Sequence, residues 1–169
     1  MDIFETINKV TPMLTDLQLE EHPEYYDWHD AMMARLETEM KPALIRPVLK
    51  TFGYGYANEG YFSVVYLLET QPAEELHNAL RDSLVKGHDG ERMWAAYMLG
   101  RFEDPNDIDI LLTQLIEPKE LARREVVTAL SRFDDPRVLQ ALLKMQVEEK
   151  SAAVQSSLKY ALKRLTGIE

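Results

Sequence analysis

One stretch decides the fold: Arg92-Met93-Trp94-Ala95-Ala96-Tyr97-Met98-Leu99-Gly100-Arg101-Phe102-Glu103-Asp104-Pro105. It is echoed 31 residues later by Arg123-Arg124-Glu125-Val126-Val127-Thr128-Ala129-Leu130-Ser131-Arg132-Phe133-Asp134-Asp135-Pro136. Outward from this pair, Tyr66-Leu67-Leu68 stands 31 residues before Tyr97-Met98-Leu99, and Tyr160-Ala161-Leu162 follows Thr128-Ala129-Leu130 after 32, so one unit occurs four times. A second periodic segment lies between these blocks. Leu76, Ala79, Leu80 and Leu84 align with Ile108, Leu111, Leu112 and Ile116 at a spacing of 32, and Leu139, Leu142 and Leu143 repeat the first part. Residues three and four apart share a helical face, so each unit reads as two amphipathic helices. Asp104-Pro105 and Asp135-Pro136 supply a side-chain acceptor at the N-cap and a proline at the first helical position, while Gln71-Pro72 does so less well. Gly87-His88-Asp89-Gly90, Pro118 and Glu149-Lys150-Ser151 mark the turns inside successive units.

A helix pair of this length cannot bury both faces alone. The repeat therefore predicts an all-α chain: a right-handed α-solenoid of antiparallel helix pairs over residues 57–169, each pair stacked on its neighbour. Ala95, Ala96, Ala129, Ala153 and Ala161 permit close helix approach, and Tyr66, Trp94, Tyr97 and Phe133 are expected in the core. The blocks Arg92 to Gly100 and Arg123 to Ser131, each leading into Asp-Pro, resemble the short HEAT-like repeats that include the phycobilisome lyase type. Tyr61 and Gln155 stand where that family usually carries arginine, and Ser131 where it carries glycine. The resemblance implies an all-helical scaffold used mainly for protein binding.

Residues 1–56 lie outside the repeat and read as a helical N-terminal cap, continuous with the solenoid in a single domain. Ile3, Phe4, Ile7, Val10, Leu14 and Leu17 form a stripe interrupted at Pro12. A second helix from about Pro23 to Met40 carries Tyr25, Trp28, Met32, Leu36 and Met40, and a third from Pro42 to Thr51 carries Leu44, Ile45, Val48 and Leu49 and ends at Gly53. Charge distinguishes this part. Residues 1–40 hold ten acidic and two basic side chains, whereas Lys119 to Glu169 holds ten basic and seven acidic. The chain is expected to be electrically bipolar, with Glu20, Glu21, Glu24, Asp27 and Asp30 around Tyr26 as a binding face for a basic protein. Tyr54 and Tyr56, alternating with glycine in Gly53 to Tyr61, are the further candidate partner contacts.

The 169 residues carry a net charge of −10, which disfavours a nonspecific grip on nucleic acid or on an anionic membrane. The absence of cysteine removes disulfides, thiolate catalysis and cysteine-ligated zinc. The N-terminus lacks a basic flank followed by an apolar run, so a cytoplasmic location is expected. Histidine chemistry is thin. His22 and His29, with Asp30 beside the latter, fall short of a metal ligand set, and His77 and His88 add no HExxH spacing. The iron hydroxylases built on HEAT-like repeats carry several His-Glu pairs, and this sequence has none; His29-Asp30 and His88-Asp89 do not replace them. No GxSxG elbow is present, and Gly53 to Tyr61 lacks the Lys-Ser/Thr end of a phosphate-binding loop. Arg123, Arg124, Arg132, Lys159, Lys163 and Arg164 form the best basic cluster, read as a solvated helix face paired with Glu120 and Glu125.

These readings give a non-catalytic protein-binding solenoid, not an enzyme, without cofactor, metal or catalytic residues. In its most concrete form it is an acidic inhibitor or immunity protein that masks a basic partner such as a bacterial toxin domain. The alternatives are a lyase or chromophore-handling accessory enzyme of the HEAT-like family, or an adaptor subunit.

Overall fold

The computed structural model describes residues 2–15, 24–55 and 60–167, and all regular structure among them is helical. The α-helices are α1 (Ile3–Thr15), α2 (Glu24–Glu39), α3 (Ile45–Leu49), α4 (Gly60–Glu69), α5 (Ala73–Lys86), α6 (Asp89–Phe102), α7 (Ile108–Thr113), α8 (Glu120–Leu130), α9 (Pro136–Glu148) and α10 (Ala152–Thr166). Short 3-10 turns at Pro42–Leu44, Pro105–Asp107 and Gln114–Ile116 join them. Two compact units are formed, Met1–Glu91 and Arg92–Glu169.

In the first unit α1 packs on α2 and α3, α2 and α5 on α4, and α3 on α5. Reciprocal bonds start α1: Glu5 N–H donates to Asp2 Oδ1 at 2.8 Å and Asp2 N–H to Glu5 Oε2 at 2.9 Å, satisfying two otherwise orphaned donors. Ile3, Ile7 and Val10 are buried, as are Tyr25, Met32 and Leu36 of α2. Trp28 is half-buried with the Lys9 ammonium 5.8 Å from its ring. The expected break at Pro12 does not occur. The helix runs through it to Thr15. Gly90 is required where α6 begins, since a Cβ there would lie 2.1 Å from the Phe52 carbonyl oxygen.

In the second unit the two halves of the repeat form two layers: α7 contacts α9, α8 contacts α10, and α8 and α10 contact the helices that precede them in sequence. Two of the expected caps are present: Asp104 Oδ1 accepts from Asn106 N–H at 3.0 Å and Asp135 Oδ1 from Arg137 N–H at 2.8 Å. Ser151, read in the sequence only as a turn residue, caps α10 by accepting from Val154 N–H at 3.3 Å, whereas α5 starts after Pro72 with no side-chain cap, so Gln71 does not act as one. Gly167 closes α10 with φ of 66°. Gly100 lets α6 meet α8, because a Cβ there would sit 2.6 Å from Ala129 Cα. Trp94 and Phe133 are in the core as expected. Ile116 departs from its aligned partner Leu84: the chain tightens from α7 into the 3-10 turn, the register rotates, and Ile116 is 88% exposed. In the first unit, Tyr66 is 61% exposed, not core, because Val64, Val65 and Leu68 already fill the buried face of α4.

Candidate functional site

The repeat position that opens α4, α8 and α10 shows how neighbouring turns are held. Arg123 donates through Nε to Glu149 Oε2 at 2.7 Å and through a second nitrogen to Glu149 Oε1 at 3.2 Å. A third nitrogen reaches back to the Glu117 carbonyl at 2.6 Å, so one guanidinium ties the turn before α8 to the turn before α10. Arg92 makes the equivalent pair with Glu117, Nε to Oε2 at 3.0 Å. Gln155, standing where the family carries arginine, keeps the backward half: its Nε2 donates to the carbonyls of Glu149 and Gln146 at 2.9 and 2.7 Å. Tyr61, in the first unit, accepts from Gly53 N–H at 3.0 Å through Oη. Arg123 holds the Glu149 carboxyl below the usual carboxylate range, chiefly through this charged hydrogen bond. These arginines are structural staples, which removes Arg123 from the basic cluster read in the sequence.

What remains of that cluster is distributed by layer. The first unit has seven basic and seventeen acidic residues, and the second has twelve of each. Within the neutral second unit the charges segregate. The α6, α8 and α10 helices from Arg92 onward contain Arg92, Arg101, Arg123, Arg124, Lys159, Lys163 and Arg164 against only Glu120 and Glu125. Glu125 is buried, whereas Glu120 is exposed at the start of α8 and keeps its charge while accepting from the Ser151 hydroxyl. That side presents Tyr160, 64% exposed, with exposed Arg101 and Arg164, while exposed Lys159 and Lys163 stand at the repeat positions of buried Val127 and Ser131, on the face of α10 that stacks on the following helix in the earlier repeats. Tyr97 is half-buried rather than core, with the Arg101 guanidinium 5.8 Å from its ring. Arg124 is half-buried and its Nε has no hydrogen-bond partner. A cationic and aromatic surface of this kind has the chemistry to pair with carboxylates and other anions.

Of the acidic face read in the sequence, Glu24, Asp27 and Asp30 are exposed on α2 beside Tyr26, which is 57% exposed. Tyr54 is half-buried. Glu20, Glu21, His22 and Tyr56 lie outside the described residues. His29 is buried against Tyr25, and burial pushes its pKa down despite Asp30 at 3.8 Å. His88 braces the turn before α6, accepting from Gly90 N–H at Nδ1 while Nε2 meets the Lys50 carbonyl at 3.1 Å. Near it, Arg46 and Lys86 both pair with Asp82, holding that carboxyl below its ordinary range. No helix among the described residues is long and apolar enough to cross a membrane.

Residues 73–163 match the HEAT repeats family model. The chain belongs to the HEAT-repeat family. No curated protein sequence matches it. Among solved structures it is similar to human deoxyhypusine hydroxylase in complex with glycerol, with a TM-score of 0.56 and 21% identity over 78% of this chain and 45% of that one. The chain thus spans less than half the length of that enzyme. This likeness corrects two sequence readings. The inhibitor or immunity reading took the HEAT scaffold as a sign of simple binding, and an enzyme built on the same fold leaves that reading unsupported. The reading that the chain is not an enzyme fails on the same ground: this fold also carries catalysis.

Proposed function

We propose that the chain is an accessory enzyme of the HEAT-repeat family that acts on a protein, and that the polypeptide lies across the solvent side of α6, α8 and α10. The observation that carries this is the row of exposed Arg101 and Arg164 with half-buried Arg124 and exposed Tyr160 along the α6, α8 and α10 layer, left once the staples Arg92 and Arg123 are set aside. The likeness to a hydroxylase supports the enzymatic half of the reading. A lyase-type accessory, the finer member suggested by the Arg92 and Arg123 blocks, is one form of the same proposal.

Exposed Tyr26 with Glu24, Asp27 and Asp30 is proposed as a separate contact for a basic protein segment. A photo-crosslinking residue replacing Tyr160, and another replacing Leu143 on α9, tests the main reading. Capture of one discrete protein from position 160 alone, followed by a mass change in that protein when it is incubated with the wild-type chain, is expected. Equal capture from both positions, or an unchanged mass, contradicts it.

A further inference from the structure

Arg101, Arg132 and Arg164 occupy the same position of three successive repeats, at spacings of 31 and 32. They stand at the ends of adjacent helices: Gly100 of α6 packs on Ala129 of α8, and α8 packs on α10. One turn earlier on each helix comes a second row, Tyr97, Thr128 and Tyr160. Helices in contact lie about 8–10 Å apart, so the backbone positions that carry the three arginines step by roughly that distance. An extended chain in the polyproline II conformation advances about 3.1 Å per residue with three residues per turn, so every third side chain points the same way about 9 Å further on. The two repeats match.

Resting on the proposal that this layer holds polypeptide, we infer that its occupant is an acidic segment in the polyproline II conformation, with a carboxylate at every third position. The carboxylates meet the arginine row, where the planar guanidinium fork favours bidentate pairing. Prolines between them lie on Tyr97 and Tyr160, the two aromatic members of the second row, as aromatic surfaces take preformed proline-rich chains. Arg101 is already set against the Tyr97 ring at 5.8 Å. Arg132 is held by Glu103 at 3.4 Å, a surface pair with side chains 35% and 49% exposed that an incoming carboxylate replaces at little cost.

Fluorescence anisotropy with the full chain tests this using two synthetic peptides of equal composition. One has four tandem Glu-Pro-Pro triplets; the other gathers the four glutamates together. The inference predicts binding of the triplet peptide about ten-fold tighter than its isomer, roughly three- to five-fold weaker binding after Arg132→Gln, and no change after Lys144→Gln on α9. Equal affinity for the two peptides overturns the register. Tighter binding of a single-stranded oligonucleotide of equal charge overturns the acidic peptide as occupant. If neither peptide binds while crosslinking from position 160 still captures a protein, this inference fails and the protein-holding proposal stands; if that capture is lost too, both fail.

Discussion

Replacing Arg123 by methionine removes a staple while keeping most of its aliphatic volume. The wild-type guanidinium donates to both Glu149 oxygens and to the Glu117 carbonyl, and its side chain is only 16% exposed against 8% for Glu149. After substitution Glu149 keeps the backbone N–H groups of Lys150 and Ser151, at 3.0 and 2.7 Å, so its charge is left half-compensated rather than bare. Hydrogen bonds to charged groups contribute about 1.5–3 kcal/mol each, and breaking a fully buried pair costs about 3–5 kcal/mol; partial solvent access and the surviving bonds place the expected loss near 2–3 kcal/mol. Urea unfolding followed by circular dichroism measures it as a lower midpoint at unchanged slope. The sign of its pH dependence follows from the depressed Glu149 pKa. That stabilisation is present above the ordinary carboxylate range and is lost as pH falls through the folded value, so the gap between wild type and variant narrows in acid. A loss below about 0.5 kcal/mol at neutral pH, the size expected for an exposed pair such as Arg132 with Glu103, would refute the staple.

Three other outcomes are expected. Gly100→Ala gains helix propensity but drives a Cβ to 2.6 Å from Ala129 Cα, so stability falls by about 1–3 kcal/mol in the same urea assay. Glu103 holds φ of 51° just beyond α6, and Glu103→Gly raises stability by roughly 0.5–1 kcal/mol, read as a higher midpoint. His29 has a lowered folded pKa. The unfolded chain therefore takes up the proton first as pH drops below about 6.5, and the first unit loses stability there; His29→Gln flattens that part of a stability-against-pH curve.

Much of the architecture was legible because repetition is robust: a stripe that recurs every 31 or 32 residues marks helix pairs even where single positions vary. The caps were equally readable, since Asp104 and Asp135 needed only a side-chain acceptor before proline. Exposure was harder. Tyr66 repeats the Tyr97 position yet points to solvent, because periodicity gives the residue's turn but not whether neighbours such as Val64 and Leu68 suffice to fill the core. Ile116 shows the same limit, since a 3-10 tightening shifts register without a strong local signal. The basic cluster was visible as a list, but its division was not. Arg123 belongs to the staples, and the row of Arg101, Arg132 and Arg164 emerges only when equivalent repeat positions are laid on adjacent helices.

The central claim is that this cationic layer holds the protein substrate, and steady-state kinetics on the protein captured from position 160 tests it most directly. The double variant Arg101→Gln, Arg164→Gln is predicted to raise KM by about ten-fold with kcat unchanged, the pattern of lost substrate binding. An unaltered KM would contradict the account.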